Sequence, residues 1–143
     1  MAGKYGSASV AITCDDGPGG TSRTITPYVT AINGIKLESI TETSTPFGQA
    51  YQSNLPTGVT KLDDITIEGF FDTTATVGPH VVFKTPDTDA NGGTRTFTFT
   101  PGDSKTMTVE MYLKSYEVKP QTEKLSRYTA VLTPAPTSTP AWA

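Results

Sequence analysis

The side chains able to do covalent or acid–base work are few: His80, Cys14 and three acidic groupings, Asp15-Asp16, Asp63-Asp64 and Asp87/Asp89/Asn91. Nucleophile-and-base catalysis draws on a histidine or an activated thiol held near a partner. His80 follows Gly78-Pro79 and falls in the first turn of a predicted helix, where a surface histidine is the commoner explanation. Cys14 ends a predicted strand beside a loop, the place of a small half-buried thiol. One histidine and one cysteine give no zinc-ligand spacing. The paired aspartates could act as glycosidase acids or hard-metal ligands, but neighbours along a strand point to opposite faces, so neither pair converges on one substrate atom. Asp87, Asp89 and Asn91 approach a calcium-loop spacing, yet an EF-hand loop closes on a glutamate at its twelfth position, which here is Thr98. That segment reads as a turn. The chemistry therefore predicts no enzyme, no cofactor and no metal.

The balance of 11 basic and 14 acidic residues, with a pI near 5.0, argues against a protein that grips phosphate backbones. A lone cysteine makes folding independent of an oxidising compartment, and the first residues, Met1-Ala-Gly-Lys-Tyr-Gly, lack the apolar run of an export signal. No stretch has the length and apolarity of a membrane span, so no membrane anchor is expected. The chain holds 27 threonines, 13 glycines and 11 prolines in 143 residues. β-branched residues fit a pleated surface and lose rotamer freedom in a helix, so a mainly β fold follows.

Along the chain, Ser7 to Thr13 reads as a first strand. Thr24 to Ile32 and Ile35 to Thr43 flank Asn33-Gly34, a dipeptide suited to a type I′ turn, and predict a hairpin. Thr43 to Lys61 has breakers and scattered aromatics without periodicity and reads as a long loop: either solvated, with Phe47 and Tyr51 tucked onto the core, or ordered only against another subunit. Leu62 to Phe71 alternates, with Phe70 and Phe71 pointing opposite ways. Thr73 to Pro79 suits a turn, and Pro79 starts a short helix carrying Val82 and Phe83. Thr94 to Thr100 sets threonines against Arg95, Phe97 and Phe99. Thr106 to Val118 sets Met107, Val109, Met111 and Leu113 against Thr108, Glu110, Tyr112 and Lys114. Lys124 to Thr133 closes the pattern. The expectation is one β domain over 1–133, two packed, mostly antiparallel sheets as a sandwich or half-barrel with one short helix and a long loop, followed by a Pro/Thr-rich disordered tail over 134–143.

Thr45-Pro-Phe-Gly, Leu55-Pro-Thr-Gly58, the run from Lys61 through Asp63, Asp64, Gly69, Phe70 and Phe71 to Asp72, and Gly78-Pro79 followed by Val82-Phe83 together resemble the pattern of major tail tube proteins of long-tailed, non-contractile (siphovirus-type) bacteriophages. Thr94-Arg-Thr-Phe-Thr-Phe and the strand ending Tyr116-Glu-Val are similar to that family too, so the resemblance covers roughly 25 to 133. It implies a structural virion protein whose subunits form hexameric rings stacked into a tube for DNA ejection, folded and assembled in the host cytoplasm. It also implies tape-measure, tail-tip and tail-terminator partners, with DNA in transit and not specifically bound. Long strands with a Thr/Glu face leave edges that a ring can close, and an acidic balance suits a wall along which DNA slides. Some of Glu38, Glu42, Glu68 and Glu110 are expected to face the lumen, the alternative being ordinary solvated positions outside. Phe47, Tyr51 and Leu55 are expected as inter-ring contacts. The rival readings are a monomeric extracellular β-sandwich binding module, carbohydrate-binding or adhesin-like, and a tube protein of a contractile tail or secretion system.

Overall fold

The computed structural model describes residues 10–33, 35–75, 77–89, 92–102, 105–135 and 141–142. Its strands are β1 (Ala11–Asp15), β2 (Ser22–Thr24), β3 (Ala31–Asn33), β4 (Leu37–Thr43), β5 (Asn54–Leu62), β6 (Ile65–Phe70), β7 (Arg95–Gly102), β8 (Lys105–Lys119) and β9 (Arg127–Pro134). One short helix, α1 (Pro79–Phe83), lies between β6 and β7, and a 3-10 turn spans Thr26–Tyr28.

Seven strands form one sheet in the order β2-β1-β7-β8-β9-β6-β3, with antiparallel pairing throughout, and β4 and β5 form a separate two-stranded sheet. The strands at the two ends of the large sheet, β2 and β3, are consecutive in the chain. The segment between them bonds to both sides: Ile25 N–H donates to Ile12 O at 3.0 Å and Thr30 N–H to Glu68 O at 2.8 Å. So short a connection forces the two ends of the sheet to approach, and the sheet curls into the expected half-barrel. Inside it Ile12 and Cys14 from one end meet Ile65 and Ile67 from the other, in one cluster with Phe97, Met107, Val109, Met111, Leu113, Tyr128, Ala130 and Leu132.

The alternation read from the sequence is seen in β7, β8 and β9. Arg95 and Phe97 are buried while Thr96, Thr98 and Thr100 share the other face, and Met107 to Leu113 alternate with Thr108, Glu110 and Tyr112. The polar side of the curled sheet thus carries ranks of threonine, one of which crosses Thr24, Thr13, Thr98 and Thr108 on neighbouring strands. Pro79 starts α1 as expected, after Gly78, where a Cβ would lie 2.7 Å from Thr74 O. The helix buries Val82 and Phe83, and the Phe83 ring packs on Tyr116 and Tyr128 at 6.4 and 6.1 Å.

Two expectations fail. The hairpin around Asn33-Gly34 does not form: β3 pairs with β6 (Ile32 opposite Ile67), and β4 pairs with β5 (Leu37 opposite Leu62). Pro27 turns the chain into the 3-10 segment and leaves only three residues to pair. For those three, the Ile67 edge of the core outweighs the local turn preference of Asn-Gly, whose Gly34 lies outside the described residues. Nor is Thr43 to Lys61 a loop. Asn54–Leu62 is β5, and only 44–53 remains as the tip. A strand with neither face buried has no reason to alternate, because alternation reports burial and not hydrogen bonding. Ser7 to Ser9 of the predicted first strand lie outside the described residues, as do 136–140 and 143 of the tail. Within that tail Pro134 ends β9, Ala135 is buried and Trp142 is seated on the sheet beside Phe99.

Candidate assembly surfaces

Of the residues first singled out for chemistry, Asn91 lies outside the described residues, while Cys14, Asp15, Asp16, Asp63, Asp64, His80 and Asp87 are occupied in holding the fold. Cys14 is fully buried, and desolvation pushes its thiol up to about 12, so it stays protonated and unreactive. Asp15 accepts from Thr96 N–H at 3.0 Å. Asp16 caps the following turn, accepting from Thr21 N–H at 3.0 Å and Arg23 Nε at 3.1 Å, and these donors hold its carboxyl below the usual range despite the opposing effect of desolvation. Asp63 lies 3.6 Å from Lys61, and Asp64 lies 3.1 Å from Lys114. The Thr133 hydroxyl and then Lys114 lower the Asp64 carboxyl. The two aspartates thus face different lysines. His80 sits edge-on to Phe71 at 5.3 Å, with Nδ1 3.4 Å from Tyr116 Oη. Among the described residues no three His, Cys, Asp or Glu gather as metal ligands.

Asp87, read as part of a turn, has a partner that sequence reasoning missed. Arg95 is buried, and its Nε and Nη2 grip the two Asp87 oxygens at 2.9 and 3.1 Å. Nη1 donates to Val82 O at 2.6 Å and Asp15 O at 3.3 Å, and Nη2 to Thr85 O at 3.0 Å. Asp87 also accepts from Leu113 N–H at 2.8 Å. One guanidinium thereby ties the end of α1 and the following loop to β1 and β8. The signal was present: Arg95 shares the strand face of Phe97 and Phe99, where a charge must find a partner.

The remaining motif residues are also structural. A Cβ at Gly69 would stand 1.9 Å from Tyr28 O, so only glycine lets the 3-10 segment cross β6. Tyr128 Oη donates to the same carbonyl at 3.0 Å. Phe70 is partly exposed, with the Arg127 guanidinium 4.8 Å above its ring. Gly58 takes φ +85 within β5, close to the bulge between Ser39 and Thr41.

The β4–β5 arm differs from the rest of the molecule. From Thr41 to Lys61 every residue is exposed except the half-buried Ser53. Phe47 is fully exposed, Tyr51 70%, Leu55 56% and Val59 55%. Between Thr41 and Thr60 the only charge is Glu42. The tip is nevertheless ordered: Ser44 N–H donates to Ser53 O at 2.8 Å, Ser53 Oγ to Ser44 O at 2.7 Å, and Thr43 Oγ1 to Asn54 Oδ1 at 3.2 Å. At its root Lys61 lies 3.7 Å from Glu38. A two-stranded hairpin with neither face covered is marginal in water. Exposed aromatics in a stretch depleted of charge are the composition of an interface core.

The four glutamates do not share one surface. Glu68 and Glu110 lie on the polar side of the large sheet, where Glu110 accepts from Thr96 Oγ1 at 3.0 Å, while Glu38 and Glu42 belong to the arm.

No protein-family model and no curated protein matches the chain. Among solved structures it is similar to a chain in the tail of an empty gene transfer agent particle with C6 symmetry, at a TM-score of 0.72 and 14% identity, covering 98% of this chain and 99% of that one. It is also similar to a chain in the extended sheath–tube complex of the extracellular contractile injection system PVC (TM-score 0.68, 11% identity, 98% and 91% covered). A third likeness is to a chain of the six-fold symmetrised baseplate structure of the anti-feeding prophage (TM-score 0.67, 10% identity, 100% and 97% covered). The curled sheet, short helix and arm are thus a fold shared, nearly end to end, with chains of tail and injection-system particles.

Proposed function

We propose that this chain is a tube subunit of a phage-like tail: copies close into six-membered rings, and rings stack into a conduit through which DNA leaves the particle. The observation that carries this reading is the arm, an ordered, charge-poor, aromatic-bearing hairpin that the described residues of its own chain leave uncovered. A head-to-tail contact made by such an arm repeats until it closes and then stacks, and the structural likenesses come from six-fold assemblies. Phe47, Tyr51 and Leu55 are the contacts to the next ring. The threonine-ranked side of the sheet, with Glu68 and Glu110, lines the lumen, where hydroxyls and carboxylates leave phosphates unheld. Tape-measure, tip and terminator proteins are its partners in the virion.

The tube reading extends to contractile particles, since injection-system chains share the fold as fully as the gene transfer agent chain. The non-contractile assignment rests on the sequence resemblance. A monomeric binding module would leave the arm in water.

The test is negative-stain microscopy and size exclusion of the purified protein, with rings or tubes expected and a 15.2 kDa monomer at all concentrations counting against the reading. Replacing 44–53 by a two-residue turn should keep the melting temperature of the sheet and abolish tubes. Tubes of normal length from that variant would remove the arm from the contact. A reconstruction with Glu68 and Glu110 on the outer wall would overturn the lumen assignment.

A further inference from the structure

Apart from Trp142, the large apolar side chains left exposed among the described residues fall into two groups. Phe47, Tyr51, Leu55 and Val59 belong to the β4–β5 arm. Phe70, Val118 and Leu125 lie at one end of the part of the sheet built by β6, β9 and β8.

The register brings this second group together. Phe70 stands opposite Arg127, Arg127 opposite Lys119, and Tyr128 opposite Val118, while Leu125 precedes Arg127 in the turn between β8 and β9. Phe71 N–H donates to Ser126 O at 2.8 Å and ties that turn to the end of β6. The exposed Arg127 holds its guanidinium 4.8 Å above the Phe70 ring. A planar guanidinium has two faces and can hold a second ring against the first. The charges along this end are Lys119, Lys124 and Arg127 against Glu117 and Glu123, with Lys119 3.9 Å from Glu117. Cations are in surplus here, and the arm's one charge between Thr41 and Thr60 is the anion Glu42.

The two groups sit at opposite ends of β6. The arm leaves the body where Leu37 pairs with Leu62, next to Ile65, at which β6 begins; Phe70 is the residue at which it ends. At about 3.3 Å per residue the strand separates the arm's root from Phe70 by about 17 Å. Because 41–61 stays unburied, a chain's own arm does not cover this end. An apolar projection at one end and an apolar surface at the other match between successive copies in a row, the heterologous contact that extends without closing.

We propose that the sheet end formed by Phe70, Val118, Leu125 and Arg127 is the socket for the arm of a second copy of this chain, with Phe47 and Tyr51 packing on Leu125 and on the Phe70–Arg127 pair. The proposal rests on the tube reading above and adds to it the surface on the receiving copy. An arginine backed by an aromatic ring is the kind of residue that dominates contact energies. The cation surplus around it brings Glu42 to opposite charge.

The experiment compares the wild type with Leu125→Asp and with the arm variant Phe47→Ser/Tyr51→Ser. All three positions are exposed, so melting temperatures should match the wild type. Each variant should need roughly tenfold more protein, or beyond, before tubes appear. Independently, benzoylphenylalanine in place of Phe47 reports the contact by photolabelling. In tubes grown from isotope-mixed subunits it should label 66–71 or 117–127 of another copy. Tubes from Leu125→Asp at the wild-type concentration overturn the socket, as does labelling confined to other segments or to the same copy. Both results leave the tube reading standing, since tubes are then present. Should Leu125→Asp lose its melting transition, the photolabel decides. If the wild type forms neither rings nor tubes, the tube reading fails and the socket falls with it.

Discussion

Replacing Arg95 with methionine removes a guanidinium that is 2% exposed and bonded through all three nitrogens. Asp87 would then keep one donor, Leu113 N–H, for a buried charge, and the carbonyls of Val82, Thr85 and Asp15 would lose theirs. Removing one partner of a buried pair costs about 3–5 kcal/mol, because the survivor's desolvation is no longer offset. With a urea m-value of about 2 kcal/mol/M, the unfolding midpoint should fall by about 1.5–2.5 M. Asp87→Asn should fall in the same direction, while Arg95→Met with Asp87→Leu should cost clearly less than the sum of the single changes, since no buried charge remains. The assay is urea unfolding followed by circular dichroism and Trp142 emission, completed as a double-mutant cycle. Additive costs, or a single-mutant loss below about 0.5 kcal/mol, would refute the reasoning.

Gly69→Ala should cost about 1–3 kcal/mol, because its Cβ meets the Tyr28 carbonyl, which is backbone and cannot swing aside; an unchanged melting temperature would contradict this. Cys14 should resist maleimide in the folded protein, reacting at the rate of unfolding. Its thiol is raised from 9.0 to about 12, so below about pH 9 both states hold the proton, and above it only the unfolded chain releases it. Stability should therefore fall between about pH 9 and 12, with a shallower fall in Cys14→Ala; identical slopes would count against burial as the cause. Asp64 behaves in the opposite sense: its lowered carboxyl contributes stability above about 3.8 that is lost as pH falls through its folded value. Melting curves from pH 2 to 5 should show a flatter acid limb in Asp64→Asn, and parallel limbs would sink the assignment.

The parts legible in the sequence were those whose side chains are sorted by burial. Thr94 to Thr100 and Thr106 to Val118 showed their faces because one side of each meets the core, and Pro79 announced α1 because its ring suits only the first turn. The arm's exposed Phe47, Tyr51 and Leu55 were legible as unusual, but β5 itself was not, since hydrogen bonds to β4 leave no periodic trace when neither face is covered. Composition and the lack of converging nucleophile, base or ligand sets led only to the expectation of no enzyme, and the expectation of a structural tube protein came from the family resemblance.

Only the tertiary structure decided which strands are neighbours. Asn33-Gly34 favoured a local hairpin, yet β3 crossed to β6 because the Ile25–Thr30 segment had to span the two ends of the curled sheet. Asp87 and Arg95 are close in sequence, but their joint burial, and the tie to Val82 and Asp15, required β1, α1 and β8 to meet there. Residue types and their local spacing set strand faces and helix starts through short-range sterics and burial. Partner choice is a competition among distant edges and pockets, and its outcome depends on the free energy of the whole packed sheet.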